Sequence, residues 1–311
     1  MKYSRRDFIA LSAAVTGSLP FMSLTNAQSS QEGLSVHIFS KHLQFLDYEN
    51  MAKAAKAIGF DGVDLTVRPK GHVLPERVEE DLPKAIDAIK KANLQAVMMT
   101  TAVDNAKNQL DENVLTIAAK LGIRYYRMNW FRYPEEGSLP EAIKGFQQQI
   151  KGLAKLNKKL GLVGCYQNHS GKLVGASLWE VWSMLQKADP EYMGSQYDIR
   201  HALVEGGRSW ENGLRLIKPH IKTIVLKDFK WEERDGKWHL VNTPIGNGMV
   251  DFDAYFKILK ANNIQVPVSL HLEYDLGGAN HGTRDIKIPE EKVFDAMKRD
   301  LSRVRKYWEE A

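Results

Sequence analysis

The chain has 311 residues, 43% hydrophobic and 26% charged, which is enough apolar material for one large buried core and shows none of the bias that marks disorder. Its formal charge is +5, of which Lys2, Arg5, Arg6 and Asp7 contribute +2, and the remaining +3 is scattered, which argues against a nucleic-acid partner. The lone cysteine, Cys165, excludes an internal disulfide and a cysteine-rich metal site, and no run past the first residues approaches the roughly 20 apolar positions that span a bilayer, so stable membrane insertion is not expected.

At the start, Ser4-Arg5-Arg6-Asp7-Phe8-Ile9 precedes a moderately apolar segment from Ala10 to Leu24, and Thr25-Asn26-Ala27 offers the small residues a signal peptidase reads. This resembles a twin-arginine export signal. Residues 1–27 are therefore set aside from the fold, residues 28–311 are expected to form one domain, and a periplasmic or otherwise exported location is expected.

From Leu34 onward one unit recurs: a short apolar run, a polar loop, then a stretch with Ala, Leu and Lys at helical spacing. The runs predict strands over 34–39, 62–67, 95–101, 123–129, 162–167, 193–198, 223–228 and 266–273. Helices are predicted over 47–58, 81–92, 108–121, 138–160, 177–187, 209–217, 251–262 and 289–309. Asp47, Asp111, Ser138, Ser177, Ser209 and Asp251 stand where N-caps or first-turn acids belong, and Gly59, Gly122 and Gly161 stand just past helix ends. Cys165, in Leu162-Val-Gly-Cys-Tyr166, reads as a buried structural thiol. Between Phe229 and Val250 lies the longest loop, whose Asp235-Gly236 with alternating flanks predicts a hairpin that would lay Trp231 or Trp238 over a sugar ring, or else glue itself to the barrel.

Strict alternation of strand and helix forces parallel strands joined by crossovers, and eight units can close on themselves. The expected fold is an α/β single-domain (β/α)8 TIM barrel, with working residues at the C-terminal ends of its strands. A doubly wound open sheet is disfavoured because no Gly-rich phosphate loop follows the first strand. The rule collects Gln167, Asn168 and His169 after the fifth strand, Asp198 and His201 at the sixth, Lys227 and Asp228 at the seventh, and His271 and Glu273 at the eighth. A carboxylate such as Asp198 at a buried strand end needs a compensating partner, or else caps the following helix. His37 and His271 alternate with apolar neighbours and face either substrate or core. No basic cluster on the rim announces a phosphate site, although Lys41, Arg68 and Arg284 are available there, and His72 and His281 lie in loops that either cover a ligand or stay on the surface.

Over residues 34–309 the chain resembles the xylose-isomerase-like TIM barrels grouped as sugar phosphate isomerases and epimerases. The resemblance rests on Gly59-Phe-Asp-Gly-Val-Asp64, Tyr166-Gln-Asn-His169, Asp198-x-x-His201, Leu226-Lys-Asp228, Gly246-x-Gly248-x-Val250-Asp251 and His271-Leu-Glu273. It implies a divalent ion held by Glu, Asp, His and Glu on strands five to eight. Asp198 and Glu273 match that set; Gln167 and Val225 replace the other two. An ion (Mn, Mg, Zn or Co) held by His169, Asp198 and Glu273 is one expectation. The other is that the Lys227 ammonium fills the cation's place between the two acids, or that Lys227 acts as general base. The resemblance further implies that His201 contacts the sugar near the reacting carbons, so Lys227, His201 and Glu273 are the expected catalytic residues and His37, Arg68, Trp231 and His271 the expected substrate contacts. It implies an isomerase or epimerase that removes a proton beside a sugar carbonyl; a lyase cleaving 3-keto-glycosides by β-elimination and a barrel that only binds carbohydrate remain alternatives. Abasic-site endonucleases share the fold but need a three-metal cluster and a basic groove. Oligomeric state stays open.

Overall fold

A computed structural model describes residues 33–311; the twin-arginine expectation falls outside the described residues. Eight parallel strands close into a barrel: β1 (Val36–Phe39), β2 (Gly62–Val67), β3 (Gln95–Thr101), β4 (Tyr125–Arg127), β5 (Val163–Gln167), β6 (Met193–Asp198), β7 (Ile221–Leu226) and β10 (Val268–Leu270). The ring closes where Val36 of β1 pairs with Val268 of β10 and Ile224 of β7 pairs with Val268 from the other side. Between β7 and β10 runs an antiparallel hairpin, β8 (Asp228–Arg234) with β9 (Lys237–Thr243), turning through Asp235 and Gly236 at φ +52° and +69°. Both central residues at positive φ define the turn that matches strand twist, which is what the Asp-Gly pair predicts.

The outer layer contains α1 (Tyr48–Ile58), α2 (Val78–Lys91), α3 (Gln109–Lys120), α4 (Leu139–Leu160), α5 (Leu178–Leu185), α6 (Ile199–Gly206), α7 (Trp210–Ile217), α8 (Phe252–Ala261) and α9 (Glu290–Glu310). Their boundaries follow local chemistry. Asp47 accepts from the Asn50 N–H, Asp251 from the Ala254 N–H, and Ser177 forms a capping box with Glu180, each satisfying N–H groups that a helix start leaves open. At α3 the cap is Asn108, and Asp111 stands in the first turn as an acid that accepts the loop N–H groups of Asp104 and Asn105.

Four predicted strands are shorter than expected, β1 and β5 at their starts and β4 and β10 at both ends, β4 ending at Arg127 and β10 at Leu270, while β7 lies two residues earlier than predicted. One helix, α6, lies outside the predicted ranges: it starts directly at the end of β6 with Asp198 as its N-cap, the capping role that was one of the two readings of that residue. Helix faces pack on the strands through Leu82, Ile89, Leu153, Leu214, Phe256 and Met297, all buried. Cys165 is buried as expected, and burial pushes its thiol up to about 12. No helix among the described residues is long and apolar enough to cross a membrane.

Candidate active site

The C-terminal ends of β5, β6, β7 and β10 bring Gln167, Asp198, Lys227 and Glu273 together. Lys227 Nζ lies 3.1 Å from Asp198 Oδ2, 3.6 Å from Glu273 Oε2 and 2.8 Å from His201 Nε2. Asp198 is wholly buried, Lys227 and His201 nearly so, while the Glu273 side chain keeps a quarter of its surface open. Burial pushes the Glu273 carboxyl up, but Lys227, Lys41 and His271 outweigh it and hold the group well below the usual carboxylate range. Lys41 donates to Glu273 Oε1 at 3.0 Å from the other side.

Asp198 satisfies both readings of its position. Oδ1 caps α6 by accepting the His201 N–H at 3.1 Å, while Oδ2 faces Lys227 and accepts from Gln167 Nε2 at 2.8 Å. Asn168 clamps the same residue's backbone, donating to its carbonyl at 2.9 Å and accepting its N–H at 2.8 Å. The amide at 167 has a specific use: it donates to Asp198 and accepts from Arg127 at 3.3 Å. An ionised carboxylate there could only accept and would repel Asp198.

Burial first, then Lys227, His169 and Arg200, hold the His201 ring well below its usual range and hence neutral. A neutral imidazole has one lone pair, yet the Ser170 N–H and Arg200 reach Nδ1 while Lys227 reaches Nε2. Donors thus crowd the ring from both sides, and Lys227 Nζ lies 2.8 Å from His201 Nε2.

The ligand set expected for a metal is not assembled. Among the described residues no three His, Cys, Asp or Glu side chains converge as an ion requires. Lys227 stands between Asp198 and Glu273, and Val225, the register partner of Asp198, offers no donor atom. His169 lies beside His201, ring centroids 4.1 Å apart and planes tilted by 36°, and donates from Nδ1 to the Ser170 carbonyl, so it lines the site without joining the two acids.

Of the expected substrate contacts, His271 and Arg68 reach the mouth. His271 stacks on Phe39 at 4.1 Å, with Nδ1 3.7 Å from Glu273 Oε1, and burial drives its ring down to about 3. The Arg68 guanidinium lies 5.5 Å over the same Phe39 ring. His37 does not reach it. Its Nε2 pairs with Ser35 Oγ, before β1 begins, and its ring packs on Gly62 at the start of β2, so it serves the N-terminal end of the barrel. Trp231 is 42% exposed and edges on Phe229, with no contact to the Lys227 cluster among the described residues. The hairpin instead sends in Asn242, which accepts from Arg200 and donates to the Glu273 carbonyl. Asp228 points away: its carboxylate accepts the N–H groups of Phe229, Gly246, Gly248 and Val250 and pins the long loop. His72 is buried against Ser40 and Leu43 rather than mobile on the rim.

Residue-type reasoning missed Arg127 and Trp130. Arg127, at the end of β4, is 5% exposed and stacks 4.0 Å from the Trp130 ring, which donates from Nε1 to the Gln167 carbonyl. The signal was a lone arginine closing Tyr125-Tyr126-Arg127.

The sequence matches the family model for xylose isomerase-like TIM barrels over residues 52–297. No protein of curated function matches it. Among solved structures it resembles the 3-keto-D-glucoside 4-epimerase from E. coli (TM-score 0.63, 15% identity, 86% of this chain and 99% of that one). It also resembles the probable 3-DHS dehydratase from Bacillus anthracis (TM-score 0.63, 13% identity, 86% and 99%). A third is the IOLI protein with a bound zinc atom (TM-score 0.68, 15% identity, 88% and 99%). At such identities the likeness is one of fold.

Proposed function

Since this chain belongs to the xylose isomerase-like TIM barrel family, we propose that it is a sugar-modifying enzyme that moves a proton on a carbon beside a sugar carbonyl, as an isomerase or epimerase. The observation that carries the reading is Lys227 Nζ lodged 3.1 Å from Asp198 and 3.6 Å from Glu273. Zinc and magnesium occur in structures of this fold, and here the ammonium takes the place of such an ion. No step is routed through a metal.

In this scheme Glu273, ionised and the most open of the group, takes the proton from carbon. Lys227 donates to the carbonyl oxygen as negative charge grows on it, a donor fixed in advance where the enediolate oxygen forms. His201, neutral, packs on Lys227 across 2.8 Å and helps hold it in place. Asp198 and Gln167 hold Lys227 and Arg127 in register. Return of the proton to the neighbouring carbon isomerises, return on the opposite face epimerises, and loss of an oxygen substituent from the intermediate gives elimination.

The test is incubation of the full chain with keto-sugars and 3-oxo-glycosides in D2O, with carbon-bound deuterium followed by NMR in the presence of a chelator. Exchange that survives the chelator and is lost in Lys227→Met and Glu273→Gln supports the scheme; release of an aglycone identifies the elimination branch. A bound sugar that never exchanges deuterium refutes catalysis and leaves a carbohydrate-binding barrel.

A further inference from the structure

Arg127 is a buried cation without a counter-ion. Its NH1 donates to the Gln167 amide oxygen at 3.3 Å and its NH2 to the Thr101 carbonyl at 3.4 Å, both neutral acceptors at long range. Its Nε has no partner, and no carboxylate lies within ion-pair distance among the described residues. A guanidinium stays charged in proteins, and a buried charge is costly unless it is paired. Something absent from the chain itself is the natural partner.

The surroundings point the same way. Arg68 is half-buried over Phe39, and its guanidinium makes no hydrogen bond or ion pair among the described residues. Its charge acts on both Arg127 and Lys41. Around the mouth the cations Lys41, Arg68, Arg127, Arg200 and Lys227 face the acids Asp64, Asp198 and Glu273. Five against three leaves an excess of two positive charges. Lys41 and Lys227 are committed to Glu273 and Asp198. Arg200 is held by Ser170, His201 and Asn242. Arg68 and Arg127 are the two left over, and they reach the mouth from different strands, β2 and β4.

We propose that Arg127 and Arg68 form a subsite for an anionic substituent of the substrate, a carboxylate or a phosphate, so that the ligand is an acidic sugar rather than a neutral one. The planar fork of a guanidinium matches either anion with two parallel N–H donors. The inference deepens the proposed function, on which the sugar part of the ligand rests; the anion subsite stands on the arginines alone.

The test measures binding by calorimetry at low salt, using D-glucose, D-glucuronate and D-glucose 6-phosphate with the full chain. One of the two acids binds at least about tenfold more tightly than glucose, since a hydrogen bond to a charged group is worth roughly 1.5–3 kcal/mol, and which acid does so identifies the carboxylate or the phosphate. Salt weakens that advantage. Arg127→Met and Arg68→Met each bring the acid's Kd to that of glucose; Arg68 is half-buried, so its variant serves if Arg127→Met misfolds. Equal binding of all three compounds, or an advantage that survives in both variants, overturns the subsite. Preference for the acid without deuterium exchange defeats the catalytic scheme and leaves the subsite standing; exchange on neutral sugars without such preference does the reverse.

Discussion

Replacing Lys227 by Ala should turn a cation-filled site into a metal-binding one. At distances of 3.1 and 3.6 Å from Asp198 and Glu273, each ion pair is worth about 5 kcal/mol gross at an effective dielectric of about 20. The cost of burying the ammonium offsets much of this. What remains after truncation is two carboxylates in a buried mouth with nothing between them, and breaking a buried pair in this way costs about 3–5 kcal/mol. With a slope of about 3 kcal/mol per molar urea, the unfolding midpoint should fall by about 1 M or more. The vacated position is bordered by Asp198 Oδ2, Glu273 Oε2 and His201 Nε2, the last 3.6 Å from Asp198; these do not converge on an ion with Lys227 among them, but once it is removed they can close inward as a donor set that suits zinc. Zinc at about a hundred times its Kd should restore roughly 2.7 kcal/mol. The assay is urea unfolding of wild type and Lys227→Ala, each with chelator and with zinc. A variant that loses less than about 1 kcal/mol refutes the account of Lys227 as the site's cation, as does a wild type destabilised by the chelator.

Two further outcomes follow from the same geometry. Because the folded Glu273 carboxyl titrates well below 4.5, its ionised form stabilises the fold at any pH above that unfolded value, and the contribution fades as pH falls below it through the folded pKa. The stability difference between wild type and Glu273→Gln should be flat from neutral pH to about 5 and shrink only in more acid solution; shrinkage already at pH 6 would mean a raised pKa. Asp228→Asn converts one of two oxygens, each accepting two backbone N–H groups, into a donor. About 2–4 kcal/mol of stability should be lost, and limited proteolysis should cut first within 244–250; unchanged protease resistance would show that the loop is held by something else.

How far the sequence revealed these features depended on whether a side chain's partner was local. Asp47, Ser177 and Asp251 cap helices through N–H groups within three residues of themselves, so the pattern of residue types sufficed. The Asp235-Gly236 turn was legible for the same reason. Asp198, Lys227 and Glu273 were legible because strand period and barrel topology send their side chains to one end. Lys227 between the acids was one of two arrangements the sequence left open, since nothing local says whether an ammonium or an ion fills the gap. Arg127 was missed because the fourth strand was extended to Asn129, which drew attention two residues along the same face. His37 sat at the correct strand but one layer too low: its partner, Ser35, is a tertiary choice made by the side chain's rotamer. Trp231 was assigned to the mouth from its ring alone, whereas pairing with Leu240 on a two-stranded ribbon leaves it to solvent. His72 looked loose because it follows Lys70-Gly71, yet hydrogen bonds with the Ser40 hydroxyl and to the Leu43 carbonyl, far back in the chain, lock it.

The neighbouring residues Lys227 and Asp228 also divide labour in a way that bears on how this barrel tolerates change. Successive side chains of an extended chain leave on opposite sides, so the lysine addresses the interior and the aspartate grips the backbone at Gly246, Gly248 and Val250. Gly248 sits so close that a β-carbon there would fall 2.2 Å from the aspartate oxygen. The hairpin thus behaves as an appendage held at its base by the aspartate latch and by Asn242, which joins Arg200 and the Glu273 carbonyl. Its length and decoration can be rewritten between Lys230 and Val241 while the ammonium stays in register, provided the latch, its glycine and Asn242 are kept.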